Sequence, residues 1–234
     1  MEDHRNVRFV EADFTGAWFR GVVFTEVKVS DAWLVDVDIS GHVERLSVNG
    51  VDVSAFVEAE LDRRHPERTL LEPSDPEGMR TAWATIEAFT SATLDRARAL
   101  PAALLEVSVN DEWSYLDTLR HLVFATDRWI TGPVLGESHP FHRLGRPNPP
   151  VEAIPAELFD LDATPTLDEV VAVRRERMDR VADLVAGVTQ SELDREVASP
   201  NGGTTTVRYC LHVVFREEWW HDRYANRDLA ILAE

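Results

Sequence analysis

The chain has 234 residues, 44% of them hydrophobic, and a formal charge of −18 from 24 basic and 42 acidic side chains. That balance excludes a nucleic-acid-binding surface, whose affinity comes from clustered Lys and Arg, and the length bounds the chain to one large domain or two small ones. No apolar run approaches the ~20 residues that cross a bilayer, the first residues are too polar for a secretory signal, and one cysteine, Cys210, excludes an internal disulfide framework; a cytoplasmic protein is expected.

The first elements are set by repetition. Phe9, Phe14, Phe19, Phe24, Val29, Leu34 and Ile39 recur every five residues, with Ala12, Ala17, Val22, Val27, Ala32 and Val37 two positions before all but the first. A period of five fits neither a helix nor a flat strand. The pattern resembles the pentapeptide-repeat family, which implies a short right-handed, four-sided β-helix of under two coils whose large residues point inward. Leu46, Val48, Val51 and Val53 then alternate about Asn49-Gly50, predicting a β-hairpin that closes the coil. Ser54 reads as the N-cap of a short helix that Pro66 ends, and Glu67 to Asp75 reads as a linker. The expected organisation is a cap over residues 1–54, a short helix and linker over 55–75, and a helical domain over 76–234.

From Pro76 the periodicity is helical. Asp75-Pro76 predicts a capped first helix that ends before Pro101, and Ser114 with Asp117 predicts a second, through Ile130. Thr166 opens a third with Val170, Val173, Met178, Val181 and Leu184 as its apolar face and Gly187 as its stop; Thr205 or Thr206 opens the fourth. The fold class is therefore mainly α, an up-down four-helix bundle preceded by the small β segment. Two connections stand out. Gly136 to Pro165 is long, proline-rich and carries His139 and His142, in the manner of functional loops. Val197 to Val207, around Asn201-Gly202-Gly203, reads as a hairpin or tight loop.

On the fourth helix Glu217 and His221 stand four residues apart, one turn on the same face, and interrupt a stripe that Val207, Cys210 and Val214 otherwise make apolar. An inward carboxylate is costly unless it is paired, hydrogen-bonded or bound to a cation. Spacing alone suits a structural Glu–His or Glu–Arg pair as well as a metal site. His121 lies opposite Leu116, Leu119, Val123 and Ile130, so periodicity puts it near the surface or in a polar cavity with Asp117 and Arg128. Cys210 reads as a small buried hydrophobe rather than a nucleophile.

Trp113-Ser114, His121-Leu122 and Trp129, with Glu217, His221, Tyr224 and Arg227-Asp228, resemble the DinB-like superfamily of four-helix-bundle metalloproteins, and within it the branch that includes mycothiol-dependent maleylpyruvate isomerase. The resemblance spans roughly Pro76 to Asp228. It implies that His121, Glu217 and His221 bind a divalent metal, Zn most of all and otherwise Ni, Mn or Fe, with an open coordination position. It further implies a metal-dependent thiol transferase or isomerase that uses a low-molecular-weight thiol such as mycothiol on a small electrophile. Asp117, Glu218 and His142 are candidate helpers: Asp117 to orient His121, Glu218 as alternative ligand or support, His142 as a donor from the loop. Expected partners are a small-molecule substrate and a second copy in a homodimer, with no nucleic acid and no membrane. The rival readings are a metal-binding module without catalysis and a pentapeptide-repeat interaction protein that mimics DNA.

Overall fold

A computed structural model describes residues 3–41, 43–148 and 154–234. In the N-terminal segment a left-handed backbone recurs every fifth residue, at Asn6, Glu11, Gly16, Gly21, Glu26, Asp31, Asp36 and Gly41. This period-five bend brings the rings of Phe9, Phe14, Phe19 and Phe24 to successive centroid separations of 5.3, 5.9 and 5.6 Å. The large residues expected inside nonetheless stay exposed, Phe9 at 64% and Phe24 at 63%, because they pack on one another with no second layer over them. No strand occurs among the described residues before the hairpin of β1 (Ser47–Val48) and β2 (Val51–Asp52). Val48 pairs with Val51 there, and Asn49 and Gly50 both take positive φ, as the tight turn between twisted strands requires.

Helix α1 (Ser54–Arg64) begins one residue earlier than the cap expected at Ser54. Val53 occupies the cap position without a side-chain bond, and the Ser54 hydroxyl instead accepts from the Leu46 amide at 2.9 Å, tying the helix to the hairpin. The stretch read as a linker is folded onto the helices. Pro66–Leu70 forms a 3-10 turn, Leu71 is 2% exposed in the main core, and the Pro73 carbonyl accepts from His212 at 2.9 Å.

The next helices start where their caps predict. Asp75 accepts from the amides of Glu77 and Gly78 and opens α2 (Pro76–Arg98), with proline where no amide is needed. Ser114 accepts from Asp117 and opens α3 (Tyr115–Thr126), which widens into a π-helical turn at Asp127–Thr131. Thr166 and Glu169 form a reciprocal capping box at the head of α4 (Leu167–Gly187). A single turn, α5 (Gln190–Leu193), leads into the antiparallel pair β3 (Glu196–Ala198) and β4 (Thr204–Thr206). Thr206 then caps α6 (Val207–Leu232) by accepting from Tyr209.

The four long helices share their faces pairwise: α2 against α6 and α4, and α3 against α4 and α6. Met79, Trp83, Ile86, Val181, Leu211 and Phe215 fill the main core, and Tyr115, Leu116, Val170 and Leu229 a second one towards the other end. Each such side chain, fully buried, contributes ~1.5–3 kcal/mol. No helix among the described residues is long and apolar enough to cross a membrane.

Helix α3 departs from the expected half-exposed pattern. Between Tyr115 and Thr126 every residue is buried except Asp117 and Leu119. Its far face is coated by the long loop: the Arg120 guanidinium donates to the carbonyls of Leu144, Asp160 and Ala163. Buried Asp127 accepts from the His142 amide at 2.9 Å. The described parts of the loop thus form a wall of the bundle, and a periodicity taken along one helix cannot see a second layer supplied from elsewhere in the chain.

Candidate metal centre

Helical spacing stacks Glu217 and His221 on α6, and the packing of α3 against that helix delivers His121. Glu217 Oε2 lies 3.3 Å from His121 Nε2 and 3.2 Å from His221 Nε2. The three candidate donor atoms fall within 4.8 Å of one another. His121 is 4% exposed, so of the two positions its periodicity allows the near-surface one is excluded, and it lines a cavity with Arg128, though not with Asp117, while Glu217 and His221 are half-buried.

The hydrogen bonding orients the donors. His121 Nδ1 lies 3.0 Å from the Arg146 carbonyl, which can only accept. Nδ1 therefore carries a hydrogen, and the ring turns its Nε2 towards Glu217. Burial drives His221 below the ordinary histidine range. Burial also pushes the Glu217 carboxyl upward, but its bonds to His121 and His221 outweigh this and hold it well below the usual carboxylate range. The result is one carboxylate facing two imidazole nitrogens, with no arginine or lysine of the described residues in ion-pair reach of Glu217.

That donor set suits a small divalent cation. Two imidazoles and one carboxylate match Zn, Ni, Mn and Fe, and separations of 3.2 and 3.3 Å approach the about 3.3 Å between ligand atoms on a tetrahedral zinc. Aromatic rings wall the centre. Trp113 lies 4.6 Å from the His121 ring and stacks at 6.1 Å and 19° on His221, which also has the His121 ring at 4.7 Å and Tyr224 at 6.1 Å.

The candidate helpers stand elsewhere. Asp117 pairs with Arg146 at 3.4 Å and Arg120 at 3.8 Å, so a backbone carbonyl and not this carboxylate orients His121. Glu218 points away from the cluster, 1% exposed, and pairs with buried Arg174 of α4. His142 is held in the loop, its Nδ1 accepting from the Leu144 amide at 3.1 Å, and is not among the converging donors. His139 lies in the same loop, exposed, with its Nδ1 3.0 Å from the Ser138 hydroxyl. Cys210 is fully buried, and burial pushes its thiol up to about 11, which makes it inert.

Sequence reasoning missed the inward arginines. Arg174 and Arg177 replace Val173 and Met178 on the buried stripe of α4, Arg177 donating to buried Asp127 at 3.0 Å. Their signal is visible in retrospect: two arginines three apart, flanking the turn between Val170 and Val181, complement acids on α3 and α6.

Fold and site together define a mainly helical protein with a two-imidazole, one-carboxylate centre between two of its helices. Residues 85–225, which hold all three candidate ligands, match the DinB superfamily. The chain belongs to that superfamily, which makes it a metal-binding DinB-like protein in outline. No curated protein and no solved structure matches it.

Proposed function

We propose that this protein is a divalent-metal-dependent enzyme of the thiol transferase or isomerase kind, with His121, Glu217 and His221 as ligands, zinc as the cation and a mycothiol-like thiol as co-substrate. The observation that carries the reading is the convergence of two imidazole nitrogens and a carboxylate, with no arginine or lysine of the described residues in ion-pair reach of that carboxylate. When bound, the cation supplies Lewis acidity that lowers the pKa of a thiol or water reaching it.

The chain's own residues do the rest. The Arg146 carbonyl fixes the His121 ring, Glu217 contributes the charge, and Trp113 and Tyr224 keep bulk water off His221. The walled site thereby favours attack on a small electrophile over loss of a reactive nucleophile to solvent. The helices are read as an up-down bundle. The N-terminal segment is read as a short pentapeptide-repeat cap, supported by its period-five backbone and successive edge-on phenyl contacts, and the protein as cytoplasmic and homodimeric.

Elemental analysis of the purified protein tests the centre, with an expected content of about one divalent cation per chain. His221→Ala is expected to lower that content at least about tenfold, and full retention overturns the assignment. A screen of small electrophiles with and without added thiol then tests the reaction class.

A further inference from the structure

Every residue of the 3–41 segment is exposed, with the whole helical bundle in place. Its backbone is nonetheless regular, with a left-handed residue at every fifth position from Asn6 to Gly41. Fixing that many residues costs conformational entropy, which a folded segment offsets by burying apolar surface. Repeated units do so by stacking on a neighbour, because one unit cannot cover its own apolar face. The segment has no such neighbour within its own chain.

The open face is large. The seven period-five residues from Phe9 to Ile39 are each 48–67% exposed, and the four phenyl rings touch in succession. At about 150–250 Å² for a whole aromatic side chain, the exposed parts of the four rings offer about 450 Å². Val29, Leu34 and Ile39 bring the face to about 650 Å². A standard stable interface takes about 800 Å² from each partner, so the ladder supplies most of one, and Val22 and Val27, exposed beside it, add to it. A partner that seats the whole ladder must present large apolar side chains at the same five-residue spacing, which a second copy of the segment does by construction. The ladder positions carry no charge, and the four basic and seven acidic side chains of residues 3–41 are interspersed along the segment. Two copies therefore meet without a one-signed field between them.

We propose that the ladder built on Phe9, Phe14, Phe19 and Phe24 is the contact surface of a homodimer, in which the N-terminal segments of two copies lie face to face about a two-fold axis and each supplies the layer the other lacks. A two-fold pairing buries the same patch in both copies and closes, whereas a head-to-tail pairing leaves one ladder open at each end of a growing stack. This locates the surface of the homodimer read above, and it is independent of the metal centre.

The test follows the full chain by sedimentation equilibrium. Wild type is expected to be a dimer whose mass stops at two chains as concentration rises. Phe14→Glu/Phe19→Glu puts charge in the middle of the ladder and should raise the dissociation constant at least about 30-fold, with metal content as in wild type. Trp33→Gln removes a 96% exposed ring outside the ladder and should leave the dimer intact. Crosslinking serves if the double variant fails to fold. Ala17→Cys, between the two central phenyls, should join two copies through a short bismaleimide, and Asp183→Cys, exposed on α4, should not; Cys210 is buried and does not compete. A monomeric wild type overturns this surface and the homodimer reading together. A dimer that survives Phe14→Glu/Phe19→Glu overturns the surface alone, as does the absence of an Ala17→Cys crosslink. A mass that climbs without limit overturns the two-fold pairing.

Discussion

Glu217 and Glu218 are adjacent on α6, yet the chain treats them oppositely. Glu218 turns into the core beside α4, where Arg174 supplies its counter-charge. Glu217 turns towards α3, where His121 meets it with His221 of its own helix alongside, and no guanidinium of the described residues is in ion-pair reach. A buried carboxylate that brings its own guanidinium is structural; one met only by imidazole nitrogens can have its charge matched from outside. The pair separates what the fold needs from what the site needs, within a single step of the helix.

Removing Arg174 tests the structural side and has the largest expected effect on stability. Arg174→Met strands Glu218 in the core and should lower the unfolding free energy by about 3–5 kcal/mol in urea. The double variant Arg174→Met/Glu218→Leu should recover most of that loss, and no recovery would mean that Glu218 has another role. On the other side, a divalent cation at a hundred times its dissociation constant should raise stability by about 2.7 kcal/mol. Thermal unfolding with and without chelator measures it, and in Glu217→Gln the increment should shrink towards zero. The smallest effect serves as control. Ser114→Ala removes the α3 cap from a residue belonging to neither carboxylate and should cost about 1 kcal/mol, equally with and without the cation. An unequal cost would show that the start of α3 is coupled to the centre.

Much of this was legible in the sequence because caps and turns are local. Asp75, Ser114, Thr166 and Thr206 announce their helices through hydrogen bonds no more than three residues long, and Asn49-Gly50 announces its turn. The four-residue spacing of Glu217 and His221 was readable for the same reason. The burial of His121 was not, since the loop that covers it arrives through Arg120 and Arg146 from another part of the chain. Trp219, on the side of α6 away from His221, is nonetheless 2% exposed because the 65–73 stretch lies over it and Glu67 accepts from its indole at 3.1 Å. Periodicity reports one neighbouring layer, and α3 and α6 each have two.

The π-helical turn at Asp127–Thr131 gives the chain a register dial. Its Gly132 amide reaches back five residues to the Asp127 carbonyl at 3.1 Å, where an α-helix would reach four. Deleting one residue there would restore α winding and swing the downstream backbone by about 100°, leaving His121 where it is. A one-codon deletion would thus re-aim everything after the turn while the α3 side of the centre stays in place.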